Sequence, residues 1–391
     1  MNRTPLAWKN LTHQPARTIV SIGGIAFAVL LMFMQLGFLG AVGDTANNVY
    51  QRLDSDLVLR SPEYLHVYDP RSIPRDVLRQ VAVLDEVASV KPLDLGMSSW
   101  QNPHNHEFRV VAVIGVDIHN NPLRLPEVES QLPLLMHPDH VLIDRTSSAD
   151  LGPVDGRRFG AADVGRTTTA LGQTVRIVGT FAMGTGLAAN GQILTSRDGF
   201  LEISPTAEPD RVSMLLVRTP QGVTAQRARR SIQTALAARG DEAASIDVLT
   251  VQEAMQAERR RWYQETPIGI IFAMGVALAV IVGGVICYMV LAADVLAHLP
   301  EYATLKAIGY SNGFLGRVLL VQAGLLALFA LPPALLAALA LYEVTSYFAG
   351  VPIRMTGLRI ALIACLSILM CSAAGIIALR KLSKAEPANL F

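Results

Sequence analysis

Few residues in this 391-residue chain are spaced for covalent chemistry. No G-x-x-x-x-G-K-[ST] run occurs, so a P-loop that cradles ATP phosphates is not expected of it. The sequence also lacks H-E-x-x-H and C-x-x-C. Gly184-Thr185-Gly186 with Gly191 looks faintly like a nucleotide loop, but it lies between two predicted strands with no helix after the glycines, and reads as a flexible loop. His104 and His106 share one face of an extended segment, with Glu107 beside them. Without further ligands at a recognisable spacing they read as a polar hairpin tip. Arg259-Arg260-Arg261 has two readings: guanidiniums solvated or paired with Glu258 and Glu265, or a contact to lipid phosphate or a partner. The remaining candidate runs from Asp294 to Tyr310. Pro300 and Glu301 suit a first helical turn and Gly309 suits a C-terminal stop, which predicts a short helix in a loop.

That loop is framed by apolar runs. Residues 19–42, 267–293, 318–342 and 360–379 are each long enough to cross a hydrocarbon core, which needs about 20 apolar residues. They account for a composition that is 51% hydrophobic with a mean hydropathy of +0.37. Net charge is only +1, so no global field favours nucleic acid. Arg3, Lys9 and Arg17 precede the first run, and Arg380, Lys381 and Lys384 follow the last. The positive-inside rule therefore predicts both termini in the cytoplasm and the long polar block outside. The first run exceeds the 7–15 residues of a signal-peptide apolar region and is expected to stay as a span. The three cysteines, Cys287, Cys365 and Cys371, all lie inside apolar runs, so the outer domain must cohere without disulfides. No charged residue sits at the centre of a span, where an ion-coupled transporter usually keeps one. An external energy source is the expectation.

The elements follow from these runs. An interfacial helix is predicted over residues 1–17, from Thr4-Pro5 with Leu6, Trp8 and Leu11 on one face, followed by a span over 18–43. Residues 44–266 read as an outer α+β domain, with a possible inserted subdomain at about 120–208 marked by Pro122, Pro126, Pro133 and Pro138. Strands are predicted at 57–59, 108–116, 141–143, 173–181, 191–195 and 211–218, and helices at 75–84 and 224–238. Thr250-Val251-Gln252-Glu253 is a capping box that opens a stalk helix, and Trp262 and Tyr263 suit an outer aromatic belt. Spans at 267–293, 318–342 and 360–379 are separated by a cytoplasmic loop (294–317) and a short periplasmic loop (343–359), and 380–391 is a cytoplasmic tail. Gly24, Ala28, Gly275, Ala279 and Gly283 have the small-residue spacing that lets helices approach closely, and are expected at the helix packing of a dimer. Pro332-Pro333 should kink the third span. Gln35 is expected to hydrogen-bond between helices.

Glu301-Tyr-Ala-Thr-Leu-Lys-Ala-Ile-Gly309 resembles the E-x-G-x-L-(R/K)-A-(I/L)-G signature of MacB/FtsX-like ABC permeases, with Ala303 in place of the usual glycine. The N-terminal Leu6-Ala-Trp-Lys-Asn-Leu11, the tail Arg380-Lys381 to Pro387 and the one-plus-three order of spans are similar to that family along the whole chain. Within it, Arg3–His13, Phe27–Gly37, Asp54–Leu59, Val141–Arg145 and Gly184–Gly186 resemble DevC-type permeases of cyanobacterial exporters. The resemblance implies an α-helical membrane protein with four transmembrane helices and a large α+β domain between the first and second. It implies an inner-membrane homodimer served by a separate cytoplasmic ABC ATPase, so ATP and Mg enter through that partner and none is bound directly. It also implies a periplasmic membrane-fusion adaptor, a TolC-like outer-membrane channel and contact with membrane lipids, with no nucleic acid. Leu299, Glu301, Tyr302, Leu305, Lys306 and Gly309 would couple to the ATPase, in a mechanotransmission exporter of a lipid-like or other amphiphilic substrate. Three alternatives stay open: a lipoprotein-releasing permease of the LolC/LolE type, an FtsX-like signalling permease that controls a cell-wall hydrolase, and a membrane-anchored outer enzyme.

Overall fold

The computed structural model describes residues 15–184, 189–240, 242–297, 308, 312–349 and 353–384. The predicted interfacial helix at the N-terminus and the end of the C-terminal tail lie outside the described residues. The chain divides into a membrane unit, residues 1–41, 267–348 and 352–391, and an extramembrane unit, residues 42–266 with 349–351.

Among the described residues of the membrane unit, four helices are long and apolar enough to cross a bilayer: α1 (Pro15–Ala46), followed much later in the chain by the three C-terminal helices. In chain order the extramembrane helices are α2 (Val77–Ala82), α3 (Pro126–Glu129), α4 (Arg197–Ile203), α5 (Ala225–Ala237) and α6 (Val251–Gln264). The C-terminal helices are then α7 (Pro267–Ala297), α8 (Asn312–Ala349) and α9 (Gly357–Lys384). Ile25, Val29, Met32 and Phe33 of α1 share a buried core with Cys287 and Leu291 of α7 and Ala330 and Ala334 of α8. Ile363, Met370 and Cys371 of α9 complete it. Alanines dominate the α8 contribution because small side chains bring helices close where lipid supplies no hydrophobic drive between them. α8 runs helically through Pro332 and Pro333.

The extramembrane unit has strands β1 (Leu57–Arg60), β2 (Ile73–Pro74), β3 (Ser89–Gln101), β4 (Phe108–Val116), β5 (His140–Asp144) and β6 (Thr167–Ala170). They continue with β7 (Gln173–Phe181), β8 (Gln192–Ser196), β9 (Arg211–Val212), β10 (Met214–Arg218) and β11 (Asp247–Thr250). Nine of these form one sheet in the order β11-β1-β10-β3-β4-β8-β5-β7-β6. The sheet curls until β6 meets β3 again, at Trp100 opposite Ala170. Its two halves bury separate cores. On the first, the apolar faces of α2 and α5 (Val77, Val81, Ala228, Ile232, Leu236) cover Leu57, Leu59, Leu215 and Val217. On the second, Trp100, Val111, Val113, Ile143, Ile177 and Ile193 fill the curl, beside Phe200 and Ile203 of α4. β3 belongs to both halves: its start pairs with β10 and its length with β4.

Local chemistry sets the element ends. Thr250 Oγ1 accepts the Glu253 amide at 3.1 Å while Glu253 accepts the Thr250 amide at 2.8 Å, the reciprocal box that starts α6. Thr224 caps α5 through the Arg227 amide. Pro267 lacks an N–H and stands at the first position of α7, where no such donor is needed.

Candidate functional site

The residues expected to couple to an ATPase, Leu299, Glu301, Tyr302, Leu305, Lys306 and Gly309, lie outside the described residues. Between residues 298 and 311 only Ile308 is described, in an exposed turn. The helices that lead into it are tied together: Gln322 of α8 donates to Asp294 of α7 at 2.7 Å. Gln322 is buried, so this bond holds the polar ends of two apolar helices in register.

The small residues of the spans are found between helices of one chain. A Cβ on Gly24 would stand 3.0 Å from Ile286 of α7, and one on Gly283 would stand 2.8 Å from the Ala28 Cβ. Gly283 also abuts Met370 of α9, Gly275 faces the Gln35 amide, and Ala279 is buried in the same core. The missing glycine side chains leave room for Ile286, Gln35, Ala28 and Met370 where α1, α7 and α9 pack. Gly37 and Gly40 do the same for larger partners, seating the Tyr342 ring and the Arg359 guanidinium; Tyr342 Oη donates to the Phe33 carbonyl.

Two features stand out in the extramembrane unit. The first is a cleft of about 950 Å³ lined by the 61–72 loop, β3, α4 with the turn after it, β9 and the segment around Glu242. Leu95, Phe200 and Val212 form its buried lining, and Glu63, Arg71 and Glu208 are exposed. Beneath lies a buried ion pair, Asp94 with Arg197 at 2.5 Å. Burial pushes the Asp94 carboxyl above its ordinary value, against the opposing pull of Arg197. Arg197 also donates to the carbonyls of Pro209 and Arg211 at 2.8 and 2.9 Å, so it locks the turn that forms one wall. Arg71 holds φ +60, a left-handed backbone uncommon for a residue with a side chain, at the cleft's edge.

The second feature is a buried polar cluster around Glu258 of α6. Its Oε2 accepts from Tyr64 Oη at 2.7 Å; its Oε1 accepts from the Trp262 indole at 2.9 Å and the Val67 amide at 3.1 Å. Tyr50 donates to Tyr64 at 3.1 Å, and Arg60 donates to Tyr50 at 3.2 Å and lies over the Tyr64 ring. Burial pushes Glu258 up and takes the Tyr50 phenol to about 12. Burial likewise lowers His66, which packs against Trp262. Trp262, expected at an interfacial belt, is instead buried here, because its indole N–H has a carboxylate to satisfy one turn back. Of the acids expected to pair with the arginine run, Glu265 meets Arg261 at 3.2 Å, while Glu258 turns to the tyrosines.

Residues singled out by motif turn out to hold the fold. Asp54 gathers Arg124, Lys91 and Arg218. Burial raises its carboxyl, but those cations hold it below the ordinary range. Asp56 accepts the Thr219 amide and hydroxyl. Asp144 is fully buried and accepts the Met183 and Gly184 amides at 3.1 and 2.7 Å, pinning the start of the glycine loop, whose residues 185–188 lie outside the described ones. His104 to Glu107 form the turn between β3 and β4, organised by Asn102, which accepts the His104 amide at 2.8 Å. Among the described residues no group of three or more His, Cys, Asp or Glu is placed to hold a metal.

Four apolar helices among the described residues, with a large α+β insertion after the first, define a polytopic membrane protein with a polar-lined cleft in its extramembrane unit. Residues 18–235 match the MacB-like periplasmic core domain, and residues 272–387 match the FtsX-like permease C-terminal family. The chain belongs to the MacB/FtsX-like family of ABC-transporter permeases. Among solved structures it is similar to the periplasmic region of MacB from Actinobacillus actinomycetemcomitans, at 10% identity and a TM-score of 0.37, over 55% of this chain and 97% of that one. It is also similar to the extracellular domain of the ABC-type transporter YknZ from Gram-positive bacteria, at 14% identity and a TM-score of 0.33, over 50% of this chain and 99% of that one. No curated protein matches it.

Proposed function

We infer that the chain is the permease subunit of an ATP-driven exporter that works by mechanotransmission. Two copies pair in the inner membrane with both termini in the cytoplasm. A separate ABC ATPase binds ATP and Mg and grips the 299–309 segment, with Glu301 and Lys306 in the contact. Its closure moves the spans, and the spans move the periplasmic units, which expel substrate toward a membrane-fusion adaptor and a TolC-like duct of the outer membrane. The observation that carries this reading is the 950 Å³ cleft in the periplasmic unit, within the volume range of ligand sites. Its lining mixes Leu95, Met97 and Phe200 with the exposed charges of Glu63, Arg71 and Glu208, a combination that suits an amphiphilic substrate.

The test is co-expression with a candidate ABC ATPase partner, followed by hydrolysis in reconstituted vesicles. The chain alone should be inactive. The pair should hydrolyse ATP, and Glu301→Ala with Lys306→Ala should uncouple hydrolysis from transport at least tenfold. Hydrolysis by the chain alone, or unchanged coupling in the double variant, would overturn the proposal. Accumulation of unreleased lipoprotein on deletion would instead indicate a LolC/LolE-like permease, and co-purification of a cell-wall hydrolase an FtsX-like regulator.

A further inference from the structure

A smaller cavity of about 190 Å³ lies against α6 and the end of β1, lined by Arg60, Tyr64, Ala257, Glu258, Arg260, Arg261 and Glu265. That is well above the roughly 10–15 Å³ one water needs on the same measure, and leaves room for a tetrahedral oxyanion with part of its hydration. Three guanidiniums line it, and among the described residues two of them make no ion pair. Arg60 is only 7% exposed, yet among the described residues no carboxylate lies within 4 Å of it, and its Nε has no hydrogen-bond partner. Its partners are the Tyr50 hydroxyl and the Tyr64 ring. Arg260 is exposed and, among the described residues, bonds Gln264 of its own helix at 3.3 Å.

The two acids of the cavity do not cancel this charge. Glu265 is engaged with Arg261 at 3.2 Å. Glu258 feels the Arg60 charge, but both its oxygens are taken by Tyr64, Trp262 and Val67, and burial favours its neutral form. The nearest carboxylate offsets the buried Arg60 charge only through space, without a direct contact, and the fork of N–H groups on each arginine fits a phosphate well. Arg261 precedes Pro267, the first residue of an apolar span, by six residues, at most about 21 Å of chain. Phosphate esters concentrate in the headgroup layer that borders such a span.

We propose that the cavity between Arg60, Arg260 and Arg261 is a binding site for a phosphate oxyanion, either the phosphodiester of a lipid headgroup or free phosphate. Arg60 supplies the buried end of the site and Arg260 closes the exposed end. The site stands apart from the cleft and does not depend on the chain being an exporter.

Two arms distinguish the sources, both on the full-length chain. In the first, the protein in nanodiscs of equal phosphatidylglycerol and phosphatidylcholine is released for native mass spectrometry and its retained lipids are counted. In the second, the protein in phosphatidylcholine nanodiscs is titrated with inorganic phosphate at constant ionic strength by calorimetry. Arg260→Gln should weaken binding about tenfold in whichever arm shows it. Arg259→Gln removes the same charge from the same run but does not line the cavity, so it should change binding less than twofold. Both positions are exposed, and thermal unfolding of each variant confirms an intact fold. Retention of phosphatidylglycerol alone supports the headgroup, and phosphate binding alone supports the free ion. No binding in either arm, or equal loss in both variants, overturns the site.

Discussion

Glutamine at position 258 tests whether the polar cluster on α6 is held by a buried carboxyl. In the native chain three donors end on that carboxyl, from Tyr64, Trp262 and Val67. Glutamine keeps one carbonyl oxygen for Trp262 and Val67 but presents an amide N–H₂ to the Tyr64 hydroxyl, so one hydrogen bond must be reversed or lost. That costs about 1–2 kcal/mol. Alanine leaves all three buried donors without an acceptor and opens a hole, and should cost about 3–5 kcal/mol. The pH dependence has a definite sign. Burial raises the folded-state carboxyl above the ordinary glutamate value of 4.5. The folded state therefore holds the proton more tightly than the unfolded state, and this contribution is fully present below pH 4.5. It is lost as pH rises through the folded value. Glutamine does not titrate, so the advantage of the native protein over Glu258→Gln should be largest near pH 4 and shrink toward neutrality. Urea unfolding of the full chain in detergent, followed by tryptophan fluorescence at several pH values, measures it. A difference that stays constant with pH, or an alanine variant within 1 kcal/mol of native, would refute the reasoning.

Three further outcomes are expected. Arg197→Met strands the Asp94 carboxyl in the protein interior and should destabilise the periplasmic unit by about 3–5 kcal/mol; adding Asp94→Leu should recover much of that, read by the same unfolding assay. Gly283→Val places a side chain against Ala28 and Met370 and should cost about 1–3 kcal/mol, seen as a lower melting temperature in detergent, while the same change at Gly324, which has open space beside it, should have a smaller packing effect. Thr250→Ala removes the cap of α6 and should cost about 1 kcal/mol, with Thr250→Ser restoring it.

Much of the architecture is legible in the order of residues. The four apolar runs correspond to α1, α7, α8 and α9, and the α+β block between the first two is as expected. β4 and β7 occupy the predicted residues because their β-branched runs are bounded by turn residues. Both capped helices begin where Thr224 and Thr250 place them. β3 was not legible: Pro92, Asp94 and Gly96 interrupt its apolar pattern. Asp94 is tolerated because Arg197, 103 residues away, neutralises it, and Gly96 because Phe200 and Ser204 press on the strand there. α4, β6 and β11 were missed for a related reason, being short and completed by pairing or by contacts far along the chain.

The candidate sites divide the same way. Sequence by itself determined the membrane spans, the capped start of the stalk helix and the family-like loop at 299–309, since each rests on neighbouring residues and their period. It also placed Glu258 and Arg260 together on one predicted helix, with Arg60 far away in the chain. Only the tertiary structure decided that β1 and α6 bring them to one cavity, that Glu258 turns from the arginines to Tyr64 and Trp262, and that Gly24, Gly275 and Gly283 seat helices of their own chain. The physical reason is that burial, which sets both the cost of a charge and the space beside a glycine, is a property of distant residues brought together.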